Sequence, residues 1–281
     1  GSAANELIAL RRKWELEQEG NWPKNNKVAF AANSWISNCS VWINLGFEPV
    51  FIDPTGSNLC VTLKDIEKTL DKNPDVKTIF YTSLLGHTES IQEMMIHCEY
   101  RGVKLLMDNC ESSFTGDSVV EDYYNMYNKN VNNFVTSSTS CYFSHLTSPN
   151  QELGLIFCQT KEESEWYRMS RNHGMTRGMP DKYKNSKVHE DFDFYLMGSN
   201  YRTSNLICYM ALLDFDRALK FSEERWILSH SFYFNLDAKK FENIVLSCKP
   251  FQKIIPLALP IVVRESANRP DLMNKIKGYL K

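Results

Sequence analysis

No stretch of the 281-residue sequence approaches the roughly 18 consecutive apolar residues that a membrane-spanning helix needs. The N-terminus lacks the basic, apolar, small-residue order of a signal peptide, so a soluble cytoplasmic protein is expected. Long runs of Lys or Arg are absent and the formal charge is −2, which leaves no electrostatic footprint for nucleic acid or an anionic membrane. Small-molecule chemistry is the better expectation. The eight cysteines form no CxxC and no His/Cys cluster at metal-ligand spacing, so they read as reduced thiols with no structural zinc. A last gap is local: residues 137–154, SSTSCYFSHLTSPNQELG, contain no lysine, and the nearest on either side are Lys129 and Lys161.

With 43% hydrophobic and 23% charged residues, the chain has ample material for a sizeable core. Leu7, Leu10, Trp14 and Leu16 recur at roughly helical spacing, which predicts an amphipathic helix over 3–19, opened by Gly1 and Ser2. Short β-rich runs follow at 27–32, 48–53, 76–82, 103–108, 132–137 and 153–158, alternating with helical patterns at 36–45, 63–71, 89–101 and 161–172. Strands separated by helices predict an α/β fold with a mainly parallel sheet covered on both faces. The acidic, aromatic stretch 121–130 reads as an excursion whose Tyr123, Tyr124 and Tyr127 cover a small core of their own. Residues 178–194 read as a functional or dimer-contact loop, and a long helix is expected over 204–238. Short proline-containing strands after it suggest a second, α+β domain. The division is therefore a large domain, 1–240, and the start of a small one, 241–281, which stops inside its first helix.

In open parallel sheets, ligands bind beyond the carboxyl ends of the strands. Three such places carry chemistry-bearing side chains: Ser34-Trp35, the run from Asp108 to Ser112, and the serine-rich turn from Ser137 to His145. Asp108 can cap the next helix or face a cationic ring nitrogen. Trp35 can stack on an aromatic ligand, although an isolated Trp at a strand end reads first as core. Gly1-Ser2 at a helix start offers free N–H groups suited to a phosphate; Ser is also an ordinary N-cap, and an N-terminal Gly-Ser a common cloning scar. His87 reads as a surface loop residue and His173 as ordering its loop, with Arg171 and Arg177 as candidate phosphate contacts and Cys110 as packing.

The segments GSAAN (1–5), NSW (33–35), LLG (84–86), MDNCES (107–112), RNHGMTR (171–177) and GSNYR (198–202), taken in order, resemble the DegT/DnrJ/EryC1/StrS family of nucleotide-sugar aminotransferases and dehydratases. The resemblance covers nearly the whole chain and is greatest to the family's 3-dehydratase branch. It implies an aspartate-aminotransferase-like fold, a homodimer, and pyridoxal or pyridoxamine 5′-phosphate as cofactor. Asp108 would pair with the protonated pyridine nitrogen, Trp35 would stack on the ring, and Glu111 would lie near the ring hydroxyl. Gly1, Ser2 and a hydroxyl at Ser140 would hold the phosphate, with Cys141 as the alternative position. Asn200 would reach the phosphate of the partner's site, while Arg202 can instead be a helix-end surface charge. Because the family carries Gly-Ser-x-Ala-Asn as a phosphate-binding turn, Gly1-Ser2 reads as native sequence. The chain then reads as lacking an N-terminal arm and the latter part of the C-terminal domain.

Aminotransferases of this family use a lysine after the serine-rich strand to form a Schiff base, so its absence from 137–154 argues against ordinary transamination. In the 3-dehydratases a histidine stands there, and the cofactor's own amine condenses with the sugar's 4-keto group. His145 is the candidate base. Alignment from the start of the segment puts Leu146 at the catalytic position, alignment from its end puts Thr147 there, and a one-residue gap restores His145; Leu153 replaces a family glycine. The implied activity is pyridoxamine-phosphate-dependent 3-dehydration of a nucleoside-diphosphate 4-keto-6-deoxyhexose for surface-glycan deoxysugars, with glutamate as amino donor. The alternative is a non-catalytic relative that acts as a binding or scaffold protein. A 4-aminotransferase would require Lys129 or Lys161 to reach the ring.

Overall fold

Strands β1 (Lys27–Ala31), β2 (Glu48–Ile52), β3 (Thr78–Thr82), β4 (Lys104–Asp108), β5 (Ser137–Ser140) and β6 (Gly154–Phe157) form one sheet in the order β2-β1-β3-β4-β5-β6. The first five run parallel, and β6 is antiparallel to β5. This computed structural model describes residues 1–56, 59–89, 91–112, 135–142, 145, 152–235, 244–246, 255–263 and 269–279. The excursion expected at 121–130 lies outside the described residues.

Side chains alternate along a strand, and the central strands β1, β3 and β4 are covered on both faces, so they read as nearly continuous apolar runs. Ala29, Ile79, Tyr81, Leu105 and Met107 pack on one face with Ile66 and Leu70 of helix α3 (Leu63–Lys72) and Met94 and Cys98 of α4 (Ile91–Tyr100). Their neighbours Val28, Phe30, Phe80 and Leu106 pack on the other face. There they meet Leu7, Ile8 and Leu16 of α1 (Ser2–Gln18), Val41 and Trp42 of α2 (Ser37–Asn44), and Trp166 and Tyr167 of α5 (Lys161–Ser170). Helix α3 starts where a capping box places it: the Thr62 hydroxyl accepts from the Asp65 N–H, and the Asp65 carboxylate accepts from the Thr62 N–H at 2.9 Å.

From β1 the chain passes outward to β2 and returns to β3 on the other side of β1. The order therefore reverses between β1 and β3, which opens a crevice at their carboxyl ends. Farther along, α6 (Asn205–Asn235) is a single long helix, followed by the antiparallel pair β7 (Ile244–Leu246) and β8 (Ile261–Val263) and then α7 (Arg269–Tyr279). The segment before β8 docks on the Leu84–Gly86 turn, where the Leu257 N–H donates to the Leu85 carbonyl at 3.0 Å. Gly86 is required at that contact: it has φ +86°, and a Cβ on it would lie 2.4 Å from the Ile255 carbonyl oxygen. Among the described residues no helix is long and apolar enough to cross a membrane.

Of the strand expected at 132–137, residues 132–134 lie outside the described residues; the described strand is Ser137–Ser140, most of it in the segment read as a turn. Its four hydroxyl side chains are all buried, and apolarity is not what makes it a strand. It is held by the ladders Met107↔Ser137, Asp108↔Ser138 and Ser140↔Gly154 and by side-chain hydrogen bonds such as that from Thr139 Oγ1 to the Asn109 carbonyl.

Phe80, 0% exposed in the middle of β3, tests the packing of the α1 face. Phe80→Ala is expected to destabilise the fold by about 3–5 kcal/mol, seen as a lower urea midpoint at unchanged slope.

Candidate active site

A cleft of about 620 Å³ opens at the carboxyl ends of β1, β3, β4 and β5. Gly1, Ser2, Trp35, Asp108, Glu111, Ser140 and His145 all line it. Asn200 does not: it lies in a neighbouring groove over β6 with Arg171 and Arg202, and its Oδ1 accepts from Arg202 Nε at 3.0 Å. Arg177 is engaged by Asp191 in an ion pair and lines neither space.

Asp108 ends β4 and is 5% exposed. Its Oδ1 accepts from the Cys110 N–H at 2.8 Å, and its Oδ2 from Asn5 Nδ2 at 2.7 Å. Asn5 belongs to the first turn of α1, so the carboxylate and the start of that helix are joined directly. Gly1 is the N-cap of α1 and receives no side-chain cap. A Cβ on Gly1 would lie 2.7 Å from Cys110 Sγ and 3.4 Å from Ser140 Cβ, so the helix start can approach β4 and β5 this closely only as glycine. The result is a backbone cradle facing the positive end of a helix dipole. Ser140 Oγ accepts from the Tyr142 N–H at 3.2 Å and holds the turn out of β5.

Trp35 follows β1 and is 70% exposed, so the core reading for this residue is corrected: it lies past the sheet, at the rim of the cleft. His145 N–H donates to the Tyr142 carbonyl at 2.8 Å, its ring meets Tyr142 edge-on, and its Nδ1 is buried without a hydrogen-bond partner. Burial holds the imidazole below its ordinary pKa, opposed by Asp108. Glu111 Oε2 accepts from the Leu85 N–H at 2.5 Å. Burial pushes its carboxyl up, against that hydrogen bond and with Asp108 reinforcing. His87 is also corrected, since it is 0% exposed rather than on the surface. The left-handed pair Leu85 (φ +54°) and Gly86 (φ +86°) turns the chain inward before it, and burial lowers its pKa to about 4.

An anion-binding helix start, an oriented carboxylate, an exposed indole and an unpartnered imidazole nitrogen form a donor set that suits a phosphorylated aromatic ring carrying a protonated nitrogen. The Cys110 thiol packs against the glycine cradle, as expected of a packing residue, while the backbone N–H at this position holds Asp108. Three residues had no role assigned from sequence: Asn5, Asn38 and Thr82. Asn38 and Thr82 line the same cleft, and Asn38 Nδ2 donates to Thr82 Oγ1 at 2.6 Å.

Residues 4–278 match the DegT/DnrJ/EryC1/StrS aminotransferase family. Two curated relatives are similar at low identity. One is a GDP-4-keto-6-deoxy-D-mannose 3-dehydratase of Escherichia coli O55:H7, 26% identical over 186 residues that make up 64% of this chain and 45% of the relative. The other is a GDP-perosamine synthase of Vibrio cholerae, 21% identical over 197 residues, or 70% and 48%. The chain thus spans about half the length of the curated relatives it matches. Among solved structures, E. coli GDP-4-keto-6-deoxy-D-mannose-3-dehydratase with bound hydrated PLP superposes with a TM-score of 0.79 at 20% identity, covering 99% of this chain and 70% of that one. The fold is therefore the one expected, that of the aspartate-aminotransferase-like enzymes.

Because the Glu111 carboxyl is raised in the folded state, its ionised form is the costly one, and the cost appears as pH rises through the folded pKa. Glu111→Gln is expected to raise the thermal midpoint at pH 7 to 8, with the gain fading toward zero near the ordinary Glu pKa of about 4.3. A gain that did not change with pH would contradict this account.

Proposed function

This chain belongs to the DegT/DnrJ/EryC1/StrS aminotransferase family, and we propose that it binds pyridoxal 5′-phosphate or its pyridoxamine form and removes the 3-hydroxyl of a nucleoside-diphosphate 4-keto-6-deoxyhexose. One observation carries the reading. Asp108, the glycine cradle and the unpartnered Nδ1 of His145 share a single cleft, and none of the described residues lining it is a lysine. Lys161 lies on α5 with its side chain 91% exposed, 4.0 Å from Glu165, and Lys129 lies outside the described residues. The names of both curated relatives contain a GDP-linked sugar, which supports a nucleotide-sugar substrate.

When bound, the cofactor supplies an amine for the sugar ketone and a ring that can hold an electron pair. Asp108 pairs with the ring N–H, and Trp35 covers one ring face. The first N–H groups of α1, at Gly1 and Ser2, hold the phosphate with Ser140, and Glu111 stands by the ring hydroxyl. His145, whose pKa burial lowers, would accept a proton at its unpartnered Nδ1 and pass it to the departing 3-hydroxyl, which then leaves as water. Glutamate is the amino donor that restores the amine. A homodimer completes the site with Asn200, which lines the neighbouring groove and not the cleft of its own chain. Leu206, Tyr209, Leu212 and Leu213, all well exposed on α6 just after it, give a second copy an apolar surface to cover.

Two variants test the reading by absorbance after gel filtration and by deuterium exchange at the amine-bearing carbon. Asp108→Asn is expected to lose the cofactor during filtration. His145→Gln should retain it but exchange about 10²–10⁴-fold more slowly. Exchange at the wild-type rate in His145→Gln would remove the histidine as base. Failure of the unaltered protein to retain either form would favour the binding or scaffold reading.

A further inference from the structure

Asn5 is 1% exposed and makes three side-chain hydrogen bonds. Its Oδ1 accepts from Ser138 Oγ at 2.5 Å, and because the other end of the amide faces the acceptor-only Asp108 carboxylate, that end is the Nδ2 group with two hydrogens to donate. One goes to Asp108 Oδ2 at 2.7 Å and the other to Asn38 Oδ1 at 3.2 Å. Asn38 is oriented in turn by donating to Thr82 Oγ1 at 2.6 Å, where Ser34 Oγ also approaches at 3.2 Å. Thr82 is the register neighbour of Asp108 on β3, and Ser138 is its register neighbour on β5. The network therefore closes around one strand end.

A carboxylate turns readily about its last torsion, whose energy profile is broad and two-fold. With the Cys110 N–H alone, Asp108 would be held through one oxygen. The Asn5 amide adds a donor to the second oxygen and fixes the plane of the group, while each oxygen keeps acceptor capacity for a ligand in the cleft. It is also a neutral donor. An Arg or Lys in its place would satisfy the carboxylate by competing with a cationic ligand for the same charge.

We propose that Asn5 is the positioning residue for Asp108: its amide, aligned by Ser138 and Asn38, sets the plane in which the carboxylate meets the cofactor's ring nitrogen. This rests on the reading of Asp108 as the partner of that nitrogen. Asn5→Leu keeps the shape and removes the donors, whereas Asn5→Asp keeps the shape and adds a titratable group against Asp108. Two carboxyls at this separation share one proton when the pH is low and repel when it is high.

Binding of pyridoxamine 5′-phosphate is measured by fluorescence titration from pH 5.5 to 8 on the wild type, both variants and Asp108→Asn, with unfolding midpoints of the cofactor-free proteins alongside. Loss of a hydrogen bond to a charged group predicts that Asn5→Leu binds about 10- to 100-fold more weakly. For Asn5→Asp, affinity relative to wild type should fall as pH rises, a trend that a packing role would not produce. Should Asn5→Leu fail to fold, the pH trend of Asn5→Asp decides. Wild-type affinity in Asn5→Leu, or a flat ratio in Asn5→Asp, overturns the inference. If Asp108→Asn binds as tightly as wild type, the premise about Asp108 fails and the inference with it; if only the Asn5 variants behave as wild type, the premise stands.

Discussion

A carboxylate buried at the end of a central strand is the constraint to which the rest of this cleft answers. Withdrawing the Asp108 charge from water costs several kcal/mol unless donors reach it, and they come from two directions. One is the N–H of Cys110, two residues along the same strand end, and the other is the side chain of Asn5 in the first turn of α1. The second has a long reach in sequence, since 103 residues separate the partners. It fixes the start of α1 relative to β4, and therefore the distance between a site for negative charge at the helix dipole and a site for positive charge at Asp108. A molecule with phosphate at one end and a protonated ring nitrogen at the other is measured by that span.

The close approach of α1 then dictates other residues. Gly1 cannot carry a Cβ without displacing Cys110, and a Cβ on Gly154 of β6 would come within 3.2 Å of Ala4 Cβ. Small residues thus line both sides of the contact between helix and sheet. On the opposite wall the backbone of Leu85 is used twice, its N–H by Glu111 and its carbonyl by the Leu257 N–H. That single residue ties the loop after β4 to the segment before β8, and it brings Leu257 into the lining of the cleft.

The sheet was legible because its central strands are apolar on both faces, a pattern that survives without knowledge of neighbours. The rule that ligands bind beyond strand ends then selected Trp35, Asp108, Glu111 and Ser140 from sequence, and all line the cleft. The extent of β5 through Ser140 was not legible because its stability comes from partners far away in sequence: a run of serines and threonine carries no periodic signal, and the Ser138 and Thr139 hydroxyls are satisfied by Asn5 and Asn109. Asn5, Asn38 and Thr82 were missed for the same reason. Each is an ordinary polar residue until the fold brings them together, although the Asn that closes GSAAN was a signal that could have been followed. Trp35 stands at the rim because it lies past the end of β1, and His87 is buried where a turn with two left-handed residues, Leu85 and Gly86, redirects the chain in a way composition does not record.

The absence of a lysine among the described residues lining the cleft changes more than the list of nucleophiles. A lysine ammonium in this cleft would place a fixed positive charge beside Asp108 and Glu111, lowering the cost of keeping both carboxyls charged. Without one among the lining residues, burial drives the two flexible titrations toward neutrality: Glu111 upward and His145 downward. Asp108 receives two hydrogen bonds, one on each oxygen, and on the proposed reading this carboxylate is where the cationic part of a ligand sits. On the proposed reading, an imidazole whose pKa burial lowers would not repel a bound cationic ring. Such a cleft would discriminate by charge before any covalent step, through the orientation of one carboxylate.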